Sequence, residues 1–97
     1  MRNQQLSVLV VGSGGREHAL ALALSHDPSV TRLFCAPGNP GTATLATNYP
    51  VDINDARAVV TLARRLRVDL VVIGPEAPLV AGVADAVRGA GIACFGP

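Results

Sequence analysis

Aromatic side chains are almost missing: 97 residues contain one Tyr, two Phe and no Trp. A core without rings must be filled by Val, Leu, Ile and Ala, which suits helices packed closely on a parallel sheet. Charge is scarce too, at 15% of residues, and it balances to a formal +1. With no basic stripe interleaved with aromatics, nothing in the chain asks for nucleic acid. No apolar run nears the ~20 residues that span a bilayer, so no membrane is expected. Met1-Arg2-Asn3-Gln4-Gln5 enters an apolar run with no small-residue cleavage site after it. A secretory leader is therefore not expected, and cytoplasm is the default. Cys35 and Cys94 sit inside strand-like runs, without CxxC or Cys/His spacing. They read as small buried hydrophobes rather than zinc ligands.

What the chain does have is apolar content, 49%, which argues against disorder. Its length suits one domain, residues 1–97, and is too short for two. Leu6-Ser7-Val8-Leu9-Val10-Val11 is nearly continuous and β-branched, the pattern of a strand covered on both faces. A helix follows to about His26, with Ala19, Leu20, Ala23 and Leu24 as its expected buried stripe. Asp27-Pro28 cannot continue it. Thr31–Ala36 reads as a second strand, and Tyr49-Pro50-Val51 as at most a brief edge strand. Asn54 is the expected N-cap of a helix from Asp55 to about Leu66, with Val59, Leu62, Ala63 and Leu66 inward. Arg64, Arg65 and Arg67 cluster at its end, where cations suit the dipole. Asp69–Ile73 reads as a strand, Leu79–Arg88 as a helix with Val80, Val83, Ala84 and Val87 inward, and Ile92–Phe95 as a last strand. Gly89-Ala90-Gly91 stops that helix. The expected fold is α/β, a mostly parallel sheet of four to five strands flanked by helices.

Three irregular turns follow strands: Gly12–His18, Pro37–Thr42 and Gly74–Pro78. In open parallel sheets such turns lie along one edge, where ligands bind. The first is the most telling. A strand bending sharply into a helix leaves the first helical N–H groups without partners. Those groups and the helix dipole favour an anion, and Gly12, Gly14 and Gly15 let the backbone come close to it. A phosphate is the expected occupant. A dinucleotide fingerprint, G-x-G-x-x-G, would put its third glycine at position 17, where Glu17 stands. The second strand also ends Phe34-Cys35-Ala36-Pro37, without the acid that binds a ribose hydroxyl. No Lys-Ser/Thr pair follows the glycines, so a Walker loop fails as well.

Each polar residue of these turns admits two readings. Arg16 either adds charge-assisted bonds to a phosphate or is an exposed first-turn residue. Glu17 faces a ligand or simply suits the helix dipole. His18 donates to a phosphate or sugar hydroxyl, or is a structural histidine. Asn39 touches ligand or takes a left-handed backbone in its loop. Glu76, held between Pro75 and Pro78, binds a ribose hydroxyl or an amine, or is a helix N-terminal acid. No Ser-His-Asp set, carboxylate cluster or metal constellation can be assembled, so neither a catalytic nor a metal residue is expected.

Three stretches carry a resemblance: Val11-Gly12-Ser13-Gly14-Gly15-Arg16-Glu17-His18-Ala19-Leu20, Ala36-Pro37-Gly38-Asn39-Pro40-Gly41-Thr42 and Gly74-Pro75-Glu76-Ala77-Pro78-Leu79-Val80-Ala81-Gly82. Together with Cys94-Phe95-Gly96-Pro97, they resemble the N-terminal domain of the phosphoribosylamine–glycine ligases (glycinamide ribonucleotide synthetases) of purine biosynthesis. The resemblance implies a small Rossmann-like domain preceding an ATP-grasp unit. It implies a family reaction joining glycine to 5-phosphoribosylamine through an acyl phosphate, with ATP and Mg2+ or Mn2+. By motif position, Gly15, Arg16 and Glu76 would hold the sugar phosphate. The substrate-binding set is expected to comprise Gly12, Ser13, Gly14, Gly15, Arg16, Glu17, His18, Pro37, Gly38, Asn39, Gly74, Pro75 and Glu76. The ATP-grasp and C-terminal domains, with the ATP and metal sites, would lie beyond residue 97. These 97 residues are then expected to bind no cofactor and not to catalyse ligation alone. The expected partners are 5-phosphoribosylamine and the rest of the same ligase chain, in a full-length monomer. The alternatives are a stand-alone nucleotide-binding or regulatory module and an interaction domain without a ligand.

Overall fold

A computed structural model describes residues 5–74 and 82–95. The N-terminal apolar run forms strand β1, Leu6–Gly12, buried along nearly its whole length. It lies between β2 (Val30–Pro37) and β4 (Leu70–Ile73), in a five-stranded sheet of order β3-β2-β1-β4-β5. The outer strands are short: β3 is Thr47–Asn48 and β5 is Ala93–Phe95. Every pairing is parallel.

Alternation along the strands divides the core in two. Val8 and Val10, with Cys35 and Val72, face helix α1 (Gly15–Ser25) and its Ala21. Leu9 and Val11, with Phe34, Ala36, Val71 and Ile73, face helices α2 (Ala56–Leu66) and α3 (Val83–Gly89). Phe34 and Tyr49 meet edge to face, ring centroids 5.8 Å apart, and the Arg32 guanidinium lies 5.1 Å from the Phe34 ring centre. The third aromatic, Phe95, is 70% exposed.

Helix α2 follows its sequence pattern: Val59, Leu62, Ala63 and Leu66 are all buried. Its N-cap is Asp55 rather than Asn54, and the Asp55 carboxylate accepts from the Ala58 N–H at 3.1 Å. Asn54 is engaged one step earlier, its N–H bonded to Asp52 Oδ1 at 2.9 Å. At the other end Arg67 takes a left-handed conformation, φ 57°, and the Val68 N–H reaches back to the Ala63 carbonyl at 3.2 Å.

Helix α1 departs from its expected stripe. Ala19 and Ala23 are exposed, Leu20 and Leu24 are half-buried, and the buried residues are Glu17 and Ala21. Arg16, Ala19, Leu20 and Ala23 line a shallow groove of about 300 Å3. The edge strand expected at Tyr49–Val51 lies two residues earlier, at Thr47–Asn48; the Tyr49 N–H still bonds the Cys35 carbonyl at 2.8 Å. In α3, Val83 and Val87 are buried and Ala84 is half-buried, as the pattern requires. Residues 79–81 of the expected helix, Val80 among them, lie outside the described residues, as do Gly96 and Pro97.

Candidate ligand site at the carboxyl edge of the sheet

Because β1, β2 and β4 are neighbours and parallel, the segments after them emerge side by side. Hydrogen bonds tie them together. The Gly38 N–H donates to the Gly12 carbonyl at 3.0 Å, and the Gly74 N–H to the Val11 carbonyl at 3.1 Å. The Asn39 carboxamide donates to the carbonyls of Ser13 at 2.8 Å and Gly14 at 3.2 Å. The second loop thus clamps the first. Asn39 does not take the left-handed backbone offered as its alternative; Gly38 does, with φ 75°.

The second loop is itself braced from below. Thr42 is fully buried, and its hydroxyl accepts from the Asn39 N–H at 2.8 Å. The Thr42 N–H donates to Asn39 Oδ1 at 2.9 Å. Asn48, on β3, lies 2.8 Å from the Thr42 hydroxyl and donates its amide to the Asn39 carbonyl at 2.9 Å. A side chain on Gly38 would run into the Asn48 carboxamide. The Thr42–Asn48 brace escapes sequence reasoning, because it joins a loop to a two-residue strand that carries no pattern of its own. Gly41 is equally confined: a Cβ there would come within 2.9 Å of the His18 ring. The half-buried His18 therefore packs between the first and second loops.

Glu17 lies beneath the first turn, 2% exposed. Its Oε1 accepts from the Gly14 N–H at 2.7 Å, the reach-back half of a capping box. Its side chain fills the space that Gly12 and Gly74 leave by lacking Cβ atoms. A Cβ on Gly12 would lie 2.5 Å from Glu17 Cγ, and one on Gly74 would overlap the carboxylate. Among the described residues the other carboxylate oxygen, Oε2, is buried without a hydrogen-bond partner. Glu17 is thus the first-turn acid that suits the helix dipole, and it is buried rather than facing solvent. Helix and strand approach here around a carboxylate, not around a third glycine, and the two glycines that make room for it are far apart in sequence.

Above Glu17 the turn is open. Ser13, Gly15 and Arg16 are exposed, Gly14 is half-buried, and among the described residues a Cβ on Gly15 would meet no atom within 4 Å. The N–H groups of α1's first turn lie at this opening, where an anion is favoured. Of the expected set, Gly12, Ser13, Gly14, Gly15, Arg16, Glu17, His18, Pro37, Gly38, Asn39 and Gly74 come together along this edge. Pro75 and Glu76 lie outside the described residues. Cys35 is buried, and burial pushes its thiol up, with a bond from Thr42 opposing. Among the described residues no group of three or more His, Cys, Asp or Glu is placed to hold a metal ion. No helix among them is long and apolar enough to cross a membrane.

A parallel sheet with helices on both faces and a glycine turn at the point where its strand order reverses defines a Rossmann-like α/β domain. The fold is shared with the X-ray structure of L-threonine dehydrogenase from Clostridium difficile, at a TM-score of 0.70 and 16% identity, over 99% of this chain and 37% of that one. At that identity the likeness concerns the fold alone. The chain belongs to the family described as phosphoribosylglycinamide synthetase, N domain, whose model matches residues 6–97. Among its curated relatives are the phosphoribosylamine–glycine ligases of Mycobacterium leprae, 66% identical, Streptomyces coelicolor, 63%, and Agrobacterium fabrum, 55%. Each match covers 95% of this chain, which spans 22% of the length of those relatives.

Proposed function

We propose that this domain holds the ribose phosphate end of 5-phosphoribosylamine for a purine-biosynthetic ligase that joins it to glycine with ATP, giving glycinamide ribonucleotide. The observation that carries the reading is the start of α1: Gly15 and Arg16, both exposed residues, on a turn clamped by the loop after β2. In the proposed pose, the phosphate rests on the first-turn amides and Arg16 adds charge-assisted bonds. The sugar then lies along the carboxyl edge towards Gly74. Ser13, Gly14, Pro37, Gly38 and Asn39 shape that path, and His18 keeps the first two loops apart. The sugar contact proposed for Glu76 rests on the family motif alone.

The domain's part in the reaction is binding and orientation, and none of these residues is proposed as catalytic. ATP and Mg2+ or Mn2+ are proposed to be held by other segments of the longer ligase, with which this domain's partly apolar surface at Ala19, Leu20, Ala23 and Phe95 would pack. A monomeric cytoplasmic enzyme is the form this reading expects.

Arg16→Ala tests the reading. Titration with ribose 5-phosphate, followed by backbone amide shifts, should move Gly12–Arg16 in the parent chain and not in the variant. Unfolding free energy should change by less than about 0.5 kcal/mol, the usual range for an exposed site. Unmoved amides in the parent chain at millimolar ligand would count against the site. A large stability loss would make Arg16 structural instead.

A further inference from the structure

The buried carboxylate under the first turn has no role in the binding pose above, yet it is costly to keep. An acceptor buried without a partner costs about 1–3 kcal/mol, and more when charged. Among the described residues, Glu17 Oε2 is such an acceptor. It lies between the ends of β1 and β4, which flank the switch point of the sheet. In dinucleotide folds the pyrophosphate crosses this place, and the second glycine of the fingerprint lets the backbone approach it. Here that glycine is Gly14, and its N–H is bonded to Glu17 Oε1 at 2.7 Å. The Glu17 carboxyl group thus takes up one anion donor of the turn and lies buried beneath the crevice. The amides one residue further on, at Gly15 and Arg16, lie at the exposed start of α1.

We propose that Glu17 is a specificity-determining residue that limits the site to a single phosphate, repelling a second phosphate over the β1–β4 crevice. The inference rests on the phosphate-site reading and sharpens its substrate class. The ligand is a monophosphate ester whose remaining part presents hydrogen-bond donors, hydroxyl or ammonium, to the crevice floor. Glu17 acts here by position and charge, without touching the phosphate.

Inorganic phosphate and pyrophosphate are the probes, titrated into the parent chain and into Glu17→Gln, which keeps the shape and loses the charge. Binding is followed at the Gly14, Gly15 and Arg16 amides. The parent chain should bind phosphate at least as tightly as pyrophosphate, although pyrophosphate carries more charge. In the variant the ratio of pyrophosphate to phosphate affinity should rise about tenfold, the scale of removing one nearby, partly screened charge. A parent chain that prefers pyrophosphate at these amides overturns the inference. So does a variant that loses stability while the ratio stays put, since that outcome leaves Glu17 a structural residue. If neither anion moves these amides, the phosphate-site reading itself fails, and this inference with it. Should Glu17→Gln not fold, the parent chain's preference decides the matter alone.

Discussion

Helices α1 and α2 are both eleven residues long, and they are held by different means. Helix α2 turns four apolar residues, Val59, Leu62, Ala63 and Leu66, into the core and closes its N-terminus with an aspartate facing water. Helix α1 buries Ala21 and a carboxylate, leaves Ala19 and Ala23 exposed, and anchors its N-terminus through Glu17. A helix whose task is packing shows its period in the sequence. A helix whose first turn shapes a ligand site gives that turn to geometry, and its apolar pattern weakens accordingly.

The contrast can be broken from either side. The largest effect is expected at Leu62→Ala, which empties a position only 4% exposed between α2 and the sheet. It should cost about 2–5 kcal/mol in denaturant unfolding; a loss below ~1 kcal/mol would mean that α2 is not held by its stripe. Gly74→Ala comes next. Gly74 has no left-handed backbone to demand glycine, and the Glu17 side chain occupies the space of its Cβ. The substitution should cost about 1–3 kcal/mol, and much of that should disappear in a Glu17→Ala background, a coupling of about 0.5–3 kcal/mol. Strict additivity would separate α1 from this mode of anchoring. The smallest effect is the cap: Asp55→Ala should cost about 1 kcal/mol, while Asn54→Ala, outside the helix, should stay within about 0.5 kcal/mol. A reversed order would return the cap to Asn54.

Much of this was legible beforehand because it is local. The run Leu6–Val11 could only be a covered strand, and the alternation of strands with helical patterns could only be a parallel α/β sheet. The positions of the first two turns and of Gly74 followed, since parallel strands put their ends on one edge. The α2 stripe was readable residue by residue. Helix α1 was not, because alanine-rich segments fit more than one face equally well and the choice fell to Glu17. The cap moved from Asn54 to Asp55 because the helix begins at Ala56, which puts the Asp55 carboxylate in reach of the Ala58 N–H. Asn39 was singled out from its loop, but the bonds its carboxamide donates to the carbonyls of Ser13 and Gly14, residues more than twenty positions away, needed the folded chain.

By itself the order of residues determined the covered strands, the α2 face, the glycine turn after β1 and its neighbourhood with the loop after β2, because propensity, period and chirality act over short stretches of chain. Only the folded structure decided that the third-glycine position carries a buried acid. That outcome needs two residues without Cβ atoms, Gly12 and Gly74, to arrive on adjacent strands and leave between them a space the size of a carboxylate. Such a space is a property of packed strands in three dimensions, and no pattern along the chain encodes it.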